Sequence, residues 1–131
     1  MKDNRTWSNR VVCTAAVFAG FCAAHLIDDF LYGVPAEFHL SNTTSQVLGL
    51  AFFVALTGLI ALAARGSRQS YLGLVVIGLL LAAADTTKHV PEMLAPGPYR
   101  SAWSVVFSIG LILSGLVTAA VSYGARRSVE R

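Results

Sequence analysis

Charge is what this chain has least of. Only 13% of its 131 residues are Asp, Glu, Lys or Arg, while 55% are hydrophobic and the mean hydropathy is +0.62. A soluble domain carries about 25% charged residues. A small domain also has proportionally more surface to cover, so a large core does not account for the shortfall. Cysteine is scarce too. Cys13 and Cys22 share one apolar segment, nine positions and roughly 13 Å apart on a helix, too far for a bridge. With no C-x-x-C there is no basis for thiol–disulfide exchange. The chain also lacks a Gly-rich phosphate loop, a G-x-S-x-G and an H-E-x-x-H, which removes the common nucleotide-site and hydrolase signatures. The net charge of +3 is not gathered into a continuous basic stripe, so nucleic acid is not an expected partner.

What the chain has is long apolar runs. Four segments, at about 11–32, 47–64, 71–89 and 103–123, reach the ~20 residues that cross a ~30 Å hydrocarbon core. They predict an all-α integral membrane protein, one four-span domain over 1–131 folded as an up-down bundle, with the lipid bilayer as its first partner. Lys2, Arg5, Arg10, Arg65, Arg68, Arg126, Arg127 and Arg131 fall on one side of these spans, and only Lys88 and Arg100 on the other. The positive-inside rule therefore puts the N-terminus, the C-terminus and the middle loop in the cytoplasm, as expected for the plasma membrane of a bacterium or archaeon. Trp7, Tyr71 and Tyr123 would mark the inner interface, and Tyr99 and Trp103 the outer one.

The start, "MKDNRTWSNR" followed by "VVCTAAVFAGFCAA", also has the basic and apolar regions of a cleavable signal peptide; cleavage after Ala24 would leave three spans. An internal repeat weighs against that. A slide of 56 positions places Asp29 on Asp85 and Val34-Pro35 on Val90-Pro91, and "GLIALAARGSR" from Gly58 matches the run from Gly115 in its opening and basic end. Two related helical hairpins, facing the same way, would make span one a retained helix. Small residues at Ala16, Gly20 and Ala24, and at Gly110 and Ser114, offer ridges for close helix packing. Four short spans enclose little space, which leaves room for a homo-oligomer or for membership of a larger membrane complex.

The unusual feature is polar. "AAHLIDDF" and "AAADTTKHVPEML" place His25, Asp28, Asp29, Asp85, Lys88, His89 and Glu92 toward the outer ends of spans one and three. His25 and Asp85 each come fourteen residues into their spans, roughly 21 Å above the inner boundary. An intramembrane carboxylate costs about 3 kcal/mol even on insertion scales, so Asp85 and His25 need partners. His25 with Asp29, and Asp85 with His89, are i, i+4 pairs that share a helix face. Asp28, Glu37 and Glu92 are expected in solvent, Glu92 beyond a helix end at Pro91.

Three readings follow. His25, Asp29, Asp85 and His89 could bind a divalent metal, although the E-x-x-H of diiron bundles is missing. These four with Asp28 and Lys88 could bind or pass a small cation or a proton-coupled solute, the favoured reading. A His–Asp pair could act as acid and base on a lipid-like substrate. The plain alternative is that the acids are solvated where the helices leave the membrane and that Asp85 is neutralised by Lys88, leaving a non-catalytic subunit. "SNTTSQ" from Ser41 reads as a helix N-cap before span two, and its sequon Asn42-Thr43-Thr44 matters only in a secretory-pathway host. "APGPYR" from Ala95 reads as a stiff turn.

In size and four-span layout the chain resembles small bacterial membrane families such as the DoxX-like proteins and the small multidrug exporters. The exporters centre on a membrane-embedded Glu in the first helix, and span one here has none. The quinone-linked disulfide enzymes need paired cysteines, also missing. Layout by itself carries no function.

Overall fold

The computed structural model describes residues 2–129, and side chains from Arg5 onward. Of the basic residues used to orient the chain, the side chain of Lys2 and the whole of Arg131 lie outside the described residues. Four long helices appear, as the apolar runs predict: α1 (Lys2–Leu31), α3 (Asn42–Ala64), α4 (Arg68–Leu94) and α5 (Ala102–Val129), with a single short turn of helix, α2 (Val34–Glu37), between the first two. All four are long and apolar enough to cross a membrane. The helices outrun the apolar segments at several ends, because backbone hydrogen bonding continues where hydrophobicity stops.

Local chemistry sets the boundaries. Ser41 caps α3, its hydroxyl accepting from the Thr44 amide at 3.0 Å, and Ser101 does the same for Ser104 at the start of α5. Gly33 (φ 73°) and Gly66 (φ 77°) carry the left-handed backbone that ends α1 and α3. One boundary differs from expectation. Helix α4 does not stop at Pro91 but runs on to Leu94. Pro91 forfeits the bond to the Thr87 carbonyl, but Glu92 is held one turn back by Lys88 at 2.8 Å and His89 at 3.2 Å, which carries the helix across it.

Contacts fix the directions. Ser8 meets Tyr71 (Oγ to Oη 2.8 Å) near the starts of α1 and α4, and His25 meets Asp85 near their ends, so these two helices run parallel. Helix α5 runs against both: Ser104 reaches Asp28, while Gly124 lies beside Trp7. Helix α3 also descends, its Gly49 against Leu26 of α1 and its Leu59 against Gly73 of α4. The result is an up-down-up-down bundle. The terminal end holds the chain termini and the Arg65–Ser67 turn; the opposite end holds α2 and the Ala95–Ser101 loop.

The bundle is apolar outside and partly polar inside. Leu31, Leu50, Val54, Leu80 and Leu113 are all more than half exposed, whereas Ser104, Ser108, Thr118 and Ser122 are fully buried. In water such a surface would aggregate; against lipid chains it is solvated, and hydroxyls and small residues become the packing surface. The tightest approach is between α4 and α5, where a Cβ at Gly78 would fall 2.6 Å from the Gly115 carbonyl oxygen and one at Gly115 would fall 2.8 Å from that of Gly78. Gly110 packs on the Phe21 ring as a small residue should, but the Ala16–Gly20–Ala24 ridge does not serve the bundle: Ala16 and Gly20 are exposed and open space surrounds Gly20.

Gly115→Ala should therefore force α4 and α5 apart and lower stability by about 1–3 kcal/mol. Gly20→Ala should be neutral or raise stability by up to about 1 kcal/mol through helix propensity. Thermal unfolding of the two variants in one detergent checks both.

Candidate functional site

At the end opposite the termini, α1 and α4 turn their polar faces toward each other. His25, one turn before Asp29 on α1, projects across the bundle, and its Nε2 lies 2.8 Å from Asp85 Oδ1 and 3.3 Å from Asp29 Oδ2. His89, one turn after Asp85 on α4, brings its Nε2 to 3.6 Å from Asp85 Oδ1 and 3.8 Å from Asp29 Oδ1. The two imidazoles meet edge to face with centroids 4.9 Å apart. The structure thus brings His25, Asp29, Asp85 and His89, the four of the six candidate site residues read as metal ligands, into one cluster. The i, i+4 spacings made each pair legible, and parallel helices of matched depth bring the pairs together.

His25, Asp85 and His89 are all buried, and one ligand-type atom from each lies within 4.8 Å of the other two. Both Asp85 oxygens are buried without an aligned hydrogen-bond donor, although His25 Nε2 stands 2.8 Å from Oδ1. A carboxylate buried in that state is costly. Lys88 is not its partner. The ammonium instead turns to the rim and pairs with Glu37 at 2.6 Å and Glu92 at 2.8 Å, so the Asp85–Lys88 neutralisation of the plain alternative is not formed.

Three acids were expected in solvent, and Asp28 departs from that most. It is 6% exposed, accepts from Ser104 Oγ at 2.9 Å and lies 3.9 Å from Arg100. The chain buries it because α5 packs its serine face against α1 at that level. Glu37 is half exposed and Glu92 partly buried, both tied to Lys88.

Arg100 is the residue that sequence reasoning missed. It reads as an exception to the charge asymmetry; in the fold its guanidinium folds back into the cluster. Nη1 donates to Asp29 Oδ1 at 2.7 Å and Nη2 lies 3.5 Å from Glu92 Oε2, with Tyr32 and Tyr99 rings on its flanks. The Tyr32 hydroxyl donates to the Arg100 carbonyl, tying the loop to α1. Burial alone disfavours the Arg100 charge, but the bond to Asp29 and the nearby Asp29 and Glu92 charges outweigh it, holding the group above its ordinary pKa. A lone arginine on the side rich in acids was the available signal. The other missed groups are Tyr99, whose hydroxyl lies 3.2 Å from His89 Nδ1 and whose phenol burial pushes up, and Ser104 and Ser108 on α5.

These outer contacts orient the histidines. His89 Nδ1 lies 3.2 Å from Glu92 Oε2 and from the Tyr99 hydroxyl and 3.5 Å from Arg100 Nη2, so it can donate to the carboxylate or accept from the phenol and guanidinium. Ser108 Oγ lies 3.5 Å from His25 Nδ1 and, as a hydroxyl, can donate or accept there. With the protons on Nδ1 both Nε2 atoms offer lone pairs beside Asp85; with a proton on His25 Nε2, 2.8 Å from Oδ1, that contact is an ion pair instead. Around that space, among the described residues, Asp28, Asp29, Asp85, Glu37 and Glu92 are set against only Arg100 and Lys88 as fixed cations. The arrangement is built to hold positive charge.

No protein-family model matches the chain, and neither does any curated protein or solved structure. The residues themselves carry the functional argument.

Arg100→Gln should lower stability by about 3 kcal/mol, because it strands the Asp29 carboxylate among other acids. Adding Asp29→Asn should recover part of the loss, giving a coupling of about 1–3 kcal/mol in a double-mutant cycle of thermal unfolding. Additive losses would mean that the 2.7 Å pair contributes nothing.

Proposed function

We propose that this integral membrane protein binds a divalent transition-metal ion through His25 Nε2, His89 Nε2 and the Asp85 carboxylate, with Asp29 within reach as a fourth ligand. One observation carries the reading: three buried ligand atoms converge within 4.8 Å while both Asp85 oxygens lack a hydrogen-bond donor. Ligand atoms around a tetrahedral ion with ~2.1 Å bonds lie ~3.4 Å apart. The separations of 2.8 and 3.6 Å from Asp85 to the two histidines bracket that value. Two imidazoles with one or two carboxylates suit zinc or ferrous iron. Glu92 behind His89 supports the assignment, since a carboxylate on the far nitrogen is the usual outer partner of a metal-bound imidazole. A divalent ion also offsets most of the cluster's excess negative charge.

Binding is favoured over passage. Toward the terminal end the core below the cluster is filled by Phe18, Leu56, Leu74 and Leu111, and by the Gly78–Gly115 backbone contact. The charge asymmetry of the loops supports a site on the outer side with both termini inside. The competing reading is a proton in place of the metal, carried as an imidazolium on His25 against Asp85.

Protein purified in detergent and equilibrated with zinc should hold close to one ion per chain by elemental analysis. His25→Ala and Asp85→Asn should lose it, and Glu92→Gln should weaken it about 10- to 100-fold. No bound metal in a folded, monodisperse protein would leave the proton reading in its place.

A further inference from the structure

Beside the metal-ligand cluster lies a cavity of about 420 Å³ between α1, α3 and α4. That is within the ~300–1,000 Å³ of sites that take small ligands. Its two ends differ. His25, Asp29, Asp85, Lys88 and His89 form one polar wall, while Leu26, Leu48, Phe52, Phe53 and Leu81 supply much of an apolar body.

The cavity exists because α3 and α4 are joined mainly at the terminal end. There Leu59 packs on Gly73, and the Tyr71 hydroxyl donates to the Ala63 carbonyl. At the opposite end α3 leans on α1 through Gly49 and Leu26 instead, leaving a gap toward α4. Leu48 on α3 and Ala84 on α4 line the cavity and are exposed, as are Phe38 and Leu40 of the loop before α3. Leu48 and Ala84 lie within membrane-spanning helices, which puts that part of the rim at the level of lipid chains.

We infer that the cavity takes a neutral amphiphile from the bilayer, its hydrocarbon body among Leu26, Leu48, Phe52 and Phe53 and a hydroxyl or carbonyl oxygen at the His25–Asp85–His89 wall. The choice of head rests on the metal reading; the choice of body does not. A divalent ion offsets most of the cluster's negative charge, so a charged head of either sign finds little net attraction to offset its desolvation in an apolar cavity. A neutral oxygen donor loses less hydration and can complete the ion's coordination. From Cys22 to Asp29 the cavity follows α1 for seven residues, roughly 10 Å. A longer chain would leave through the Leu48–Ala84 opening into the bilayer.

The test uses dodecanol carrying a mid-chain photoreactive group, with matched dodecanoate and dodecylammonium, on the full chain in liposomes, zinc-loaded and chelator-stripped. In the loaded protein the alcohol should label Leu48, Phe52 and Phe53 about tenfold more than either charged probe. Ala84→Trp, and separately Leu48→Trp from the facing rim, should each remove labelling at Phe52 and Phe53. Both positions are exposed, so the fold should survive either change. Alcohol labelling that persists in stripped protein and is still blocked by the tryptophans upholds the cavity site even where zinc binding itself fails. Labelling confined to outward residues such as Leu113 and Val117, or indifferent to both tryptophans, would overturn it. Equal labelling of the loaded cavity by a charged probe would overturn the neutral head.

Discussion

A carboxylate buried in a membrane helix without a hydrogen-bond donor needs a cation, and Asp85 is that carboxylate. Much of the opposite end of the bundle is arranged around it. His25 and His89 approach from two helices, Glu92 and Ser108 sit behind them, and Arg100 occupies Asp29. Such a cluster is expensive to build in an apolar setting, and it adds nothing to packing that leucine could not supply. Its cost is the physical reason to read it as functional.

The surroundings keep the site occluded from below and open from the side. Small and hydroxyl-bearing residues on α5 let α1 and α4 close on it, drawing Asp28 and His25 against Ser104 and Ser108. Helix α3 buries little and, at the site's level, leans on α1 and away from α4, which is what leaves the cavity. Three closely packed helices and one that packs less closely on α4 thus leave the polar cluster beside a cavity.

The layout was largely legible in the sequence, because lipid imposes a simple demand: about twenty apolar residues per span and a helix to satisfy the backbone. Ser41 as a cap and the pairs His25/Asp29 and Asp85/His89 were legible for the same reason, being local spacings. What was hidden depends on contacts between distant segments. Arg100 belongs to a proline-rich loop with no period to read, and only the fold brings it 71 positions back to Asp29. Asp28 looks like a solvated helix end until Ser104 covers it. Pro91 reads as a stop, yet Glu92 pairs back onto Lys88 and His89 across it. The Ala16–Gly20–Ala24 ridge was a true pattern on a face the bundle does not use, since composition cannot say which face of a helix turns inward.

X-ray absorption at the metal edge of the zinc-loaded protein tests the central claim most directly. The account predicts a first shell at ~2.0–2.2 Å with the scattering of two imidazoles and carboxylate oxygen, falling to one imidazole in His89→Ala. A shell of oxygen alone, or one unchanged by the loss of either His25 or His89, would contradict it.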